Sequence, residues 1–146
     1  MILNLEANPI AELGIRVRSI LGVPEVVLTD TIISSPVFIT KAEKFINKNI
    51  KEYETLDKDL IEIATIYYIC YLICPGMYSR LPKRMENLST KTLLQDIDWD
   101  KMALEMLEKS IETLEEAIAL ETDEDINYSV TFAKLSASSE YPNPNV

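Results

Sequence analysis

Carboxylates are the only side chains in this sequence spaced as a site for chemistry would need. Asp96, Asp98 and Asp100 stand at alternate positions, as the first three ligands of a calcium loop do. The continuation fails, because Lys101 takes the place of the turn glycine and Leu107 that of the bidentate glutamate. Asp98 as a helix N-cap, with Asp100 in the first turn, uses the same residues for ordinary helix chemistry. The chain has no histidine, and its two cysteines, Cys70 and Cys74, lie one helical turn apart in an apolar run. Zinc and iron–sulfur sites need more ligands than these. That spacing is also poor for a disulfide, so both are expected as reduced core residues in a reducing, cytoplasmic folding environment. There is no Gly-rich phosphate loop, and no Ser or Cys nucleophile has a histidine to activate it. The expectation is a protein that is not an enzyme and holds no cofactor or metal.

What remains to explain is which elements the chain builds. Residues 57–74, DKDLIEIATIYYICYLIC, carry no charge after Glu62, and the next charge is Arg80. A helix that is apolar on every side belongs at the centre of a bundle. The run ends at Pro75-Gly76, short of the length that crosses a bilayer, and it is too long for one buried strand. Asp57 is placed as N-cap, with Leu56 and Ile61 at the spacing of a hydrophobic staple. Tyr67, Tyr68 and Tyr71 read as core or subunit contacts rather than a cofactor box. No membrane contact is expected.

The rest of the chain must cover that rod. Asn8-Pro9 opens a first helix in which Ile10, Leu13, Val17, Ile20 and Leu21 recur at helical spacing, and Gly22 suits its C-terminal stop. Gly14 weakens its interior by about 1 kcal/mol relative to alanine. An apolar link, residues 23–35, should lie against the body. Ser35-Pro36 opens a second helix, buried through Val37, Phe38, Ala42, Phe45, Ile46 and Ile50, with Lys41, Lys44, Lys48 and Lys51 outside. After Pro75-Gly76 a loop is expected that gathers Arg80, Lys83 and Arg84. Three basic residues are too few for a nucleic-acid site. Residues 88–97 suit an extended segment or short strand. Asp98 then caps a long helix buried through Trp99, Met102, Ala103, Met106, Leu107, Ser110, Ile111, Leu114, Ala117 and Ile118.

Charge singles out that last helix. The chain carries −10, and residues 96–125 hold twelve acids and two lysines, so this segment accounts for all of it. Its outer positions are Glu105, Glu108, Glu112, Glu115 and Glu116. Glu108–Glu112 and Glu112–Glu116 are like-charge pairs one turn apart, each costing a few tenths of a kcal/mol. Acids toward a helix C-terminus also oppose the macrodipole. Local stability does not account for them, so the acidic face needs a purpose outside the helix.

The pattern then changes to a period of two. Ile126, Tyr128, Val130 and Phe132 alternate with polar or small residues, as on a strand. A lone strand needs a mate, either residues 88–97 or a strand of another molecule. Residues 136–146 read as a flexible tail. The expected fold is mainly α, a small helical bundle of about four helices around a buried central helix, with a C-terminal strand or extended arm. Residues 1–125 form the helical domain and 126–146 the strand and tail. Met1-Ile-Leu-Asn-Leu-Glu lacks the basic stretch and long apolar run of a secretory leader.

The order of the pieces resembles a known family. A first helix ends in Leu21-Gly22-Val23-Pro24-Glu25, and an aromatic-rich central helix ends in Cys74-Pro75. Leu81-Pro82-Lys83-Arg84 precedes Asp98-Trp99, which opens a long Leu/Ala/Glu helix. In this order they resemble the head–tail connector (adaptor) proteins of tailed bacteriophages, over residues 9 to 120. The resemblance implies a virion protein, assembled in the host cytoplasm, that forms a ring of about twelve copies below the portal. It implies contacts with the portal protein and with a tail or stopper protein, and a channel through which DNA passes without specific binding. On that reading Glu105, Glu108, Glu112, Glu115 and Glu116 line the channel. Arg80, Lys83 and Arg84 meet an acidic neighbour, and Ile126, Tyr128, Val130 and Phe132 reach into portal or an adjacent subunit. A soluble helical regulatory or protein-interaction module is the alternative, and a carboxylate-dependent metal enzyme a distant third.

Overall fold

The fold is a helical bundle built around one rod. In this computed structural model the described residues are Leu3, 10–84, 94 and 96–121. The elements are α1 (Ile10–Leu21), α2 (Asp30–Ile33), α3 (Pro36–Asn49), α4 (Lys58–Ile73), α5 (Met77–Arg84) and α6 (Trp99–Glu121), with 3-10 turns at Tyr53–Thr55 and Cys74–Gly76. Among the described residues there is no strand. The expected strand at residues 126–132 lies outside them, as does most of 88–97. Leu94 of that second segment is helical and buried.

Helix α4 forms where the sequence places it. The Asp57 carboxylate accepts hydrogen bonds from the N–H groups of Asp59 at 2.9 Å and Leu60 at 3.2 Å. That satisfies two of the donors a helix start leaves open. Leu56 and Ile61, the two staple positions, are both buried. From Leu60 to Ile73 no residue is fully exposed, because α1, α3 and above all α6 lie against the rod. Tyr68 stacks on Phe45 of α3 with ring centroids 4.0 Å apart. Lys109 of α6 sits over the Tyr67 ring, 5.9 Å from its centroid. The tyrosines therefore tie α4 to its neighbours on two sides.

Pro75-Gly76 does not end the helical path. Cys74–Gly76 forms a 3-10 turn and Met77 continues with helical dihedrals, φ −66° and ψ −35°. The stretch expected as a loop is instead α5, and it holds Arg80, Lys83 and Arg84. Proline costs a hydrogen bond inside a helix but is accepted in the first turn of a new one. The correction also removes the length argument against a bilayer span, since the helical path Lys58–Leu81 covers 24 residues and is long and apolar enough to cross one. Of its most apolar window, 56% is buried inside the molecule.

Helix α1 ends as its sequence suggests. Gly22 adopts φ +67°, and the Val23 N–H donates to the Arg18 carbonyl at 3.1 Å, closing the helix with a Schellman-type bond. Leu13, Val17 and Leu21 form its buried stripe, whereas Ile10 is exposed. Gly14 has a specific cause. A Cβ there would collide with the Asp30 carboxylate, which crosses over α1 to pair with Arg18 at 2.6 Å. The link after α1 lies on the body through Val23, Val27, Leu28 and Ile33, as expected. In α3 the buried positions are Ile39, Ala42, Phe45 and Ile46, with Phe38 partly covered and Ile50 buried just beyond. Val37, expected inside, is exposed, and Ile39 takes its place. Pro36 opens the helix, but the Ser35 side chain makes no cap hydrogen bond.

Candidate functional site

Helix α6 starts from two caps. The Asp98 carboxylate accepts from the Lys101 N–H at 3.0 Å, and the Tyr78 hydroxyl accepts from the Trp99 N–H at 3.0 Å. The first explains the Asp98 spacing without a metal. The second comes from α5 and anchors the start of α6 on that short helix. Among the described residues no cluster of Asp, Glu, Cys and His is arranged to hold a metal ion.

The inner side of α6 is fixed by packing. Trp99, Ala103, Met106, Leu114, Ala117 and Ile118 are buried, and Met102, Leu107 and Ile111 are partly so. Ser110 is fully buried and donates to the Ala64 carbonyl of α4 at 2.8 Å. With the inner side so occupied, Glu105, Glu108, Glu112, Glu115 and Glu116 all face outward and are exposed. They form one acidic face over 12 residues of α6, which at 23 residues is the longest helix described in the chain. The arrangement offers no acid–base pair in an enclosed site; it offers a long negative surface.

A second charged surface lies on α3. Lys41, Lys44, Lys48 and Lys51 are all exposed, the last just past the helix end. Among the described residues none of these glutamates or lysines has an ion-pair partner, and the pairs that do form are Arg16–Glu62 at 2.8 Å and Arg18–Asp30. Helices α3 and α6 both rest on α4 and make no extensive contact with each other. The two charged faces therefore do not neutralise one another within the chain.

The other expected site residues are placed unevenly. Arg80 is partly buried on α5, over Gly76, and its Nε has no hydrogen-bond acceptor among the described residues. The backbone carries Lys83 and Arg84 on the same short helix, and their side chains lie outside what is described. Ile126, Tyr128, Val130 and Phe132 also lie outside the described residues. Cys70 and Cys74 are buried free thiols. Burial pushes the Cys74 thiol up to about 12, and burial, with Cys74 beside it, raises Cys70 as well. Neither is a thiolate available for chemistry at neutral pH. Sequence reasoning put Ser110 in the apolar stripe and missed its hydrogen bond, and it missed the Tyr78 contact altogether. Both depend on residues far apart in the chain.

Compared with protein-family models, curated proteins and solved structures, the chain matches none of them.

Proposed function

We propose that this protein is a structural head–tail connector: a non-catalytic helical adaptor that assembles as a ring on a portal and gives a tail or stopper protein its docking surface. One observation carries the reading. The bundle completes its core on the inner side of α6, yet the outer side holds five exposed glutamates that weaken the helix they sit on. An assembly gives such a surface a purpose. The order of motifs, from Leu21-Gly22 through Cys74-Pro75 to Asp98-Trp99, supports the same reading by its resemblance to connectors. A ring reading leaves α6 two places, the wall of the DNA channel or the seam between copies.

The test is to look for a portal gene in the genome that encodes this chain, mix its purified product with the chain, and image the result by electron microscopy. The connector reading predicts a closed ring of copies seated on the narrow end of the portal. An interaction module instead gives a small complex of fixed stoichiometry with some other protein. A chain that leaves the portal bare overturns the reading.

A further inference from the structure

Two exposed ladders of opposite charge run along different helices with the same step. Along α3, Lys41, Lys44 and Lys48 advance by three and four residues, with Lys51 just past the helix end, and along α6 Glu105, Glu108 and Glu112 advance by the same steps, with Glu115 one step further. The matched parts of the two ladders, Lys41 to Lys48 and Glu105 to Glu112, each rise about 10 Å at 1.5 Å per residue. Steps of three and four average 3.5, the period that keeps the same positions in contact along two helices lying side by side. Both ladders are also self-repelling, because Lys44–Lys48 and Glu108–Glu112 are like-charge neighbours one turn apart. None of these lysines and glutamates has an ion-pair partner among the described residues, although Lys109 stands one turn from Glu105 and Glu112.

We propose that the lysine ladder of α3 docks on the glutamate ladder of α6 in a second copy of this chain. The contact joins two different faces, so each copy retains one free ladder at either end and the association repeats head to tail. Repetition of that kind closes into a ring or runs on as a filament. Like-charge repulsion on both helices falls when the ladders interleave, which gives the acidic face the purpose that local stability denies it. In a ring the contact places this face in the seam and not along the DNA path. It requires no portal, and so goes beyond the connector reading.

The test uses full-length chains with two sets of charge reversals, one with Lys41, Lys44, Lys48 and Lys51→Glu and one with Glu105, Glu108, Glu112 and Glu115→Lys. All eight positions are exposed, and circular dichroism checks that helix content is kept. Native mass spectrometry at low salt and about 100 µM chain reads the outcome, with a Debye length of about 30 Å at 10 mM salt. The wild type forms oligomers whose affinity falls about tenfold or more toward 1 M salt, since exposed pairs are weak singly and screened together. Each reversed variant alone is monomeric, and an equimolar mixture co-assembles with alternating copies. A wild type that stays monomeric, oligomers indifferent to either reversal, or variants that do not co-assemble overturn the proposal. Wild-type rings that tolerate the lysine reversal, with DNA ejection slowed by the glutamate change, assign the acidic face to the channel wall. Charge-dependent oligomers that never bind portal leave this contact standing and remove the connector reading.

Discussion

The buried hydroxyl of Ser110 donates a hydrogen bond to the carbonyl oxygen of Ala64 across the α4–α6 contact, at 2.8 Å. It ties the two helices at one point inside their largely apolar contact and favours the observed register of α6 on the rod. That register decides which residues of α6 face out. Ser110→Ala removes the donor, while the Ala64 carbonyl keeps its place in the helix. A loss of about 1 kcal/mol is expected, read as a lower urea midpoint at unchanged slope. Ser110→Val adds bulk at a fully closed position and is expected to lose more.

Gly14 and Asp30 form a coupled pair. Gly14→Ala in an ordinary helix interior adds about 1 kcal/mol. Here the new methyl displaces the Asp30 carboxylate from Arg18, and the lost ion pair offsets most of that gain. The expected net change is near zero in the wild type. In an Asp30→Ala background the same substitution recovers its full stabilisation, and a double-mutant cycle measures the difference. Additive effects would show that the two residues do not touch.

Asp57→Ala opens the start of the central rod. Two N–H groups lose their acceptor, and a loss of about 1 kcal/mol is expected in denaturant unfolding. Asp57→Asn, which keeps a side-chain oxygen, is expected to retain most of the stability.

The thiols make alkaline pH destabilising. Their pKa values are raised by burial, from 9.0 to about 12 for Cys74 and upward too for Cys70. Between those limits the unfolded chain releases thiol protons that the native chain keeps. Stability is therefore full below pH 9 and falls as pH rises toward 12. A Cys70→Ala, Cys74→Ala double variant is expected to show a shallower decline in urea midpoint over that window. In the wild type at pH 8, a thiol reagent is expected to label neither cysteine until the protein unfolds.

Local chemistry was legible in the sequence, and long-range chemistry was not. Asp57, Asp98 and Gly22 announce their helix ends because caps act within four residues. The outward lysines and glutamates follow from helical period and the cost of burying charge. The presence of α5 was hidden because Pro75-Gly76 reads as a stop, whereas the chain uses that proline to begin a new turn. Val37 lies about 140° round α3 from Ala42 and Ile39 about 60°, so the helical period applied strictly places Ile39 inside and Val37 out. The reason for Gly14 lies sixteen residues away at Asp30, and that for Ser110 on another helix.

Hydrogen exchange of the chain in detergent-free buffer tests the central claim, that α4 is a rod enclosed by α1, α3 and α6. The backbone amides from Ile61 to Ile73 are then the slowest to exchange, opening only with global unfolding. Rapid exchange there in water, with protection appearing only on addition of lipid vesicles, would contradict it and make the same helix a bilayer span.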